Sequence, residues 1–83
     1  MSMKNEEIFG VLIKDARKNK SLSQEKLAEK TGLDRTFISS IETGKKIPTL
    51  TSICKLAKGL DMKASELLKL YEEKVAEYGE DST

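Results

Sequence analysis

Arg35, Thr36, Ser39 and Ser40 are interspersed with Phe37, Ile38 and Ile41, an order that a helix sorts into a polar outer face and an apolar inner one. The outer set has the chemistry of hydrogen-bond recognition. An arginine in the first turn of a helix presents a planar fork that matches O6 and N7 of guanine, and a threonine offers a hydroxyl and a methyl, the latter suited to thymine. Arg35 and Thr36 are therefore the candidates for reading base edges. Ser40, one turn along the same face, reaches a base or a phosphate, and Ser39 leans toward the rim.

Bond-making chemistry has little to draw on. The 83 residues include no His and a single Cys, which excludes a disulfide framework and a zinc site. Glu6-Glu7 and Glu72-Glu73 are adjacent in sequence rather than opposed across a site, so they read as solvated charges. Gly44-Lys45-Lys46 lacks the strand and glycine spacing of a phosphate loop. Cys54 falls on the apolar side of its segment and reads as a small core residue. No enzyme activity, metal or cofactor is expected.

The elements that must hold these side chains are all helical by period. Ile8, Phe9, Leu12, Ile13 and Ala16 form one stripe of an amphipathic helix over Asn5 to Asn19. Ser23 reads as an N-cap, with Leu22 and Leu27 at the spacing of a hydrophobic staple; Lys26 stands where a capping box would place Glu or Gln. Gly32 ends this second helix. The device then repeats: Leu33 and Ile38 staple a third helix, capped by Asp34, running from Arg35 to Glu42 and stopping near Gly44. Pro48 marks the following loop. Thr49 caps a fourth helix carrying Leu50, Ile53, Leu56, Ala57 and Leu60, and a fifth starts near Ala64 with Leu67, Leu68, Leu70, Tyr71 and Val75, reaching Tyr78. No segment alternates with period two. The expected fold is all-α, five helices in a single domain over residues 4–78, with 79–83 as a flexible polar tail.

Gln24, Leu27, Ala28, Thr31, Gly32, Leu33, Ile38 and Ile41 have the spacing of a helix-turn-helix, in which the second helix of the pair enters the major groove. Ala28 is small where the helices cross, Gly32 makes the turn, and the large apolar residues fill the angle. The runs Ser23-Gln24-Glu25-Lys26-Leu27-Ala28, Gly32-Leu33 and Ile38-Ser39-Ser40-Ile41-Glu42-Thr43-Gly44, with Pro48, resemble the Cro/C1-type (XRE) helix-turn-helix family of phage repressors and bacterial regulators, with a lambda-repressor-like fold. The likeness covers about Phe9 to Leu70. Leu33-Asp34-Arg35-Thr36-Phe37-Ile38-Ser39, the small size and the fifth helix are most similar to controller proteins of restriction–modification systems.

That resemblance implies a buried ion pair between Arg17 and Glu42, and it makes Gln24 a phosphate clamp at the start of the second helix, where backbone amides also point at the anion. Thr43, Lys45 and Lys46 follow the recognition helix and are placed for the DNA backbone; Lys46 reaches a groove instead in one alternative. Many phage repressors have a longer, more basic segment than Gly44–Pro48, which limits contacts beyond the first few phosphates. The fifth helix has more apolar residues than an edge helix needs. Leu67, Leu70, Tyr71 and Val75 either complete the core or form a two-fold dimer interface, and the resemblance favours the dimer, with recognition helices about 34–36 Å apart on a palindromic site.

Composition sets the limits on partners. With 37% apolar and 35% charged residues, the core depends on placement rather than on abundance of apolar side chains. The longest apolar stretch is too short to span a bilayer, so the expectation is a cytoplasmic protein. The net charge of +1 divides unevenly: residues 1–60 carry 12 basic and 7 acidic side chains (+5), and residues 61–83 carry 3 and 7 (−4). A basic body with an acidic end fits double-stranded DNA as partner, with RNA polymerase as a further one near a promoter. The competing readings are an antitoxin or a phage-type repressor of the same fold whose main partner is a protein, and a helical protein-binding module.

Overall fold

The computed structural model describes residues 3–78, arranged as α1 (Asn5–Asn19), α2 (Gln24–Thr31), α3 (Arg35–Glu42), α4 (Leu50–Gly59) and α5 (Ala64–Tyr78). The expected tail, residues 79–83, lies outside the described residues. Helix starts follow the local chemistry. Ser23 Oγ accepts from the Lys26 amide at 3.0 Å, and Thr49 Oγ1 accepts from that of Ser52 at 3.1 Å. Asp34 occupies the N-cap position of α3 with extended backbone, but its carboxylate makes no capping bond. The staple and the packing of Ile38 therefore start this helix without the side-chain cap expected of Asp34.

Helix ends are closed by turns. Gly32 takes φ +73° after α2, at little cost for a residue without Cβ. Two other ends use ordinary residues in the left-handed region, Ser21 after α1 and Asp61 after α4, both at φ 58°. In each, the next amide reaches back across the turn, Leu22 to the Arg17 carbonyl at 3.0 Å and Met62 to that of Ala57 at 2.8 Å.

The core draws on every helix. Ile8, Ile13, Leu27, Ile38, Ile41, Leu56, Leu60 and Leu67 are fully buried, with Phe9, Leu12 and Ala57 around them. α1 packs on α3 and α5, α2 on α3 and α4, and α4 on α5. The α1–α3 crossing is close because Gly10 lacks a side chain: a Cβ there would collide with the carbonyl oxygens of Ile41 and Glu42.

α5 lies along α1. The Tyr71 ring meets Phe9 edge-on, with centroids 6.0 Å apart, and Lys74 Nζ sits 3.5 Å from Asp15 Oδ2. Leu67 is completely enclosed in the core, which corrects its assignment to an outer dimer face. Tyr71 and Val75 are half-buried, and Leu70 is exposed. α4 departs from expectation at its start: Leu56, Ala57 and Leu60 are buried, whereas Leu50 and Cys54 face solvent. Leu50 lies in the first turn of α4, N-terminal to its buried residues, and Cys54 shares its exposed side. No helix among the described residues is long and apolar enough to cross a membrane.

Candidate nucleic-acid interface

The interface is built on α2 and α3, two helices of eight residues joined by the Gly32 turn. Its foundation is buried. Arg17, in the last turn of α1, donates from Nε to Glu42 Oε2 at 2.7 Å and from Nη2 to Glu42 Oε1 at 3.0 Å. Its Nη1 donates to the Leu22 carbonyl at 2.8 Å, so the guanidinium joins the end of α3 to the segment leading into α2. The hydrogen bonds to Glu42 hold the Arg17 pKa above its ordinary range; burial pulls the other way and is the smaller effect. Two charges this enclosed are tolerable only because each has the other and further partners.

The network continues toward solvent. Gln24 Nε2 donates to Glu42 Oε1 at 3.0 Å, and Gln24 Oε1 accepts from Arg35 Nη1 at 3.2 Å. Arg35 and Thr36 are exposed on the first turn of α3, and Ser39 and Ser40 are half-buried further along. Thr43, Lys45 and Lys46 are exposed beyond the end of α3. The Thr43 hydroxyl donates back to the carbonyls of Ser39 or Ser40, at 3.0 and 3.2 Å. The amides of Lys45 and Lys46 both turn back to the Ser40 carbonyl, which folds the loop under α3.

Two features escaped the sequence reading. Phe37 is half-buried rather than simply inward, and Lys46 Nζ lies 6.0 Å from its ring centroid, so the aromatic edge and a cation share the surface of α3. Ile47 and Leu50 are the most exposed large apolar side chains among the described residues, at 73% and 72%. The signal for this was the isolation of Ile47 between Lys46 and Pro48, away from any helical stripe. Among the described residues no cluster of Cys, Asp or Glu could hold a metal ion.

A family model described as helix-turn-helix matches residues 13–67. The control protein C.MunI of Mycoplasma sp is 47% identical over 60 residues, covering 71% of this chain and 81% of that protein. The ImmF control region 10 kDa protein of Bacillus phage phi105 is 37% identical over 71 residues, covering 86% of this chain and 78% of that protein. Among solved structures, the restriction–modification controller protein C.Esp1396I, a tetramer in complex with its natural 35 base-pair operator, superposes with a TM-score of 0.82 at 29% identity, covering 90% of this chain and 99% of that one. A short helix pair joined by the Gly32 turn, braced by a buried ion pair and exposing a polar first turn, is a helix-turn-helix reading head. The chain belongs to the helix-turn-helix family of transcriptional regulators, and within it the likeness extends to restriction–modification controller proteins.

Proposed function

We propose that the chain occupies a palindromic operator as a homodimer and regulates transcription as the controller protein of a restriction–modification system. The observation that carries the reading is the exposure of Arg35 and Thr36 on the first turn of α3, whose far end is anchored through Glu42. α3 lies in the major groove, with Arg35 and Thr36 on base edges and Ser40 on a base or phosphate. Gln24, Ser39, Lys45 and Lys46 meet the backbone; Thr43 joins them only when its hydroxyl turns from the helix carbonyls. Residues 4–78 act as one domain, in the cytoplasm, without catalysis or a cofactor, and RNA polymerase is the further partner where the operator adjoins a promoter.

One α3 reads too few base pairs for an operator, so a second copy is required. Ile47 lines a cleft of about 350 Å³ with Phe9, Ile53 and Tyr71, and Leu50 follows it in the first turn of α4. This apolar surface begins five residues after α3 ends, and a two-fold axis through it is the arrangement proposed for the homodimer. C.Esp1396I binds its operator as a tetramer, which supports self-association of this chain as well.

Duplex binding as a function of salt tests the reading. Affinity for an operator selected from a random pool falls steeply as salt rises. Arg35→Ala costs about 1–3 kcal/mol and relaxes the preference at one base pair, whereas Lys45→Ala weakens all duplexes alike. Weak, nearly salt-independent binding to every duplex would overturn it.

A further inference from the structure

We propose that the outer face of α5 is a docking surface for a basic amphipathic helix of RNA polymerase bound beside the protein on the same duplex, an inference that rests on the reading above of polymerase as a partner. Met62, Glu66, Leu70, Glu73 and Glu77 recur at spacings of four and three, which places them in one row along α5 and the turn before it. Met62, Glu66, Lys69, Leu70 and Glu73 line a shallow groove of about 370 Å³. Met62 is half-buried and Leu70 is 38% exposed. The groove is therefore apolar at two points and acidic around them, with Lys69 as its one basic side chain. Glu66 accepts from the Lys63 amide at 2.8 Å, which fixes the start of α5. Among the described residues the ion pairs are Arg17–Glu42, Lys26–Glu29 and Lys74–Asp15, so no cation within salt-bridge distance neutralises Glu66, Glu73 or Glu77.

Nothing within the protomer uses this face. The core takes Leu67, and Tyr71 lies against Phe9. α5 packs on α1 and α4 rather than on the α2–α3 pair, and its free carboxylates repel phosphate, so the face does not serve DNA. The homodimer proposed above meets through Ile47 and Leu50. What complements an apolar groove rimmed by carboxylates is a helix that presents an apolar side chain flanked by Lys or Arg. Proteins that hold DNA carry such basic surfaces. Size narrows the occupant further. A groove that takes one or two side chains falls far below the area of a stable complex between free proteins. Contact on this scale matters only between partners already held on one duplex, where each is at high effective concentration for the other. An operator beside a promoter supplies that condition for polymerase.

Three exposed positions test it. Glu73→Lys and Leu70→Ser alter the groove, and Glu72→Lys makes the same charge change one residue away, outside it. The full chain and each variant are first titrated with the selected operator alone, where Glu73→Lys and Glu72→Lys are expected to match each other. The operator is then placed at a series of spacings upstream of a weak promoter, and occupancy by RNA polymerase holoenzyme is footprinted with the operator saturated. The unmodified chain is expected to raise polymerase occupancy about three- to tenfold at the best spacing. Glu72→Lys keeps that gain, and Glu73→Lys and Leu70→Ser lose it. Full recruitment by both groove variants, an equal loss in Glu72→Lys, or no gain from the unmodified chain at any spacing overturns the proposal. So does a Glu73→Lys variant that breaks an association between dimers without polymerase, which makes a second copy the occupant. A chain that fails to bind any operator in the first titration is a different failure: it removes the DNA-binding reading itself and this proposal with it.

Discussion

Arg17 and Glu42 show how much a single side chain can cost without adding net stability. The Glu42 side chain is only 2% exposed, and its charge is tolerated because Arg17 closes both oxygens. Arg17→Met strands that charge and is expected to cost about 3–5 kcal/mol in chemical denaturation. Arg17→Met/Glu42→Leu removes both charges and recovers most of the loss; a double variant as unstable as the single one would show that pairing is not the reason. Operator binding does not recover with stability, because the double variant no longer ties α1 to the end of α3. The residue types at this site were legible from the sequence, yet the link from Gln24 to Arg35 was not. Spacing tells which side chains share a face, and an amide's orientation depends on a partner supplied by another helix.

At the scale of elements, the α1–α3 crossing depends on the bare backbone of Gly10. Alanine is the better helix former by about 1 kcal/mol, so an exposed glycine replaced by alanine would stabilise. Here the added methyl meets the backbone oxygens of Ile41 and Glu42, which cannot rotate away. Gly10→Ala is expected to lower the thermal midpoint and weaken operator binding, with a cost of about 1–3 kcal/mol, while Lys14→Ala on the exposed side of α1 leaves both unchanged. The spans of α1 to α5 were legible because stapled caps and 3.6-residue stripes mark helix starts and faces locally. What was not legible is which part of a wide stripe its neighbours cover. Leu50 and Leu67 have equal hydropathy, but Leu50 opens α4 at the surface whereas Leu67 enters the core beside α1 and α4. Cys54 was misplaced for the same reason.

For the whole molecule, the question is how two copies meet. Leu50→Asp places a charge in the exposed apolar surface and is expected to give a monomer by light scattering, with the fold intact, since Leu50 makes no part of the core. Leu70→Asp leaves the dimer in place; the opposite pair of results would move the interface to α5. Loss of the dimer also lowers operator affinity, because the second recognition helix then binds without the local concentration that its tethered partner provides. The packing of α5 against α1 and α4, rather than against the α2–α3 pair, has a kinetic meaning. With its excess of acid at the α5 end and of base elsewhere, each protomer is an electric dipole, and a polyanion exerts a torque on it before contact. The protein is expected to turn its reading side toward the duplex during approach, and an association rate that falls with salt more steeply than the net charge of +1 implies would show it.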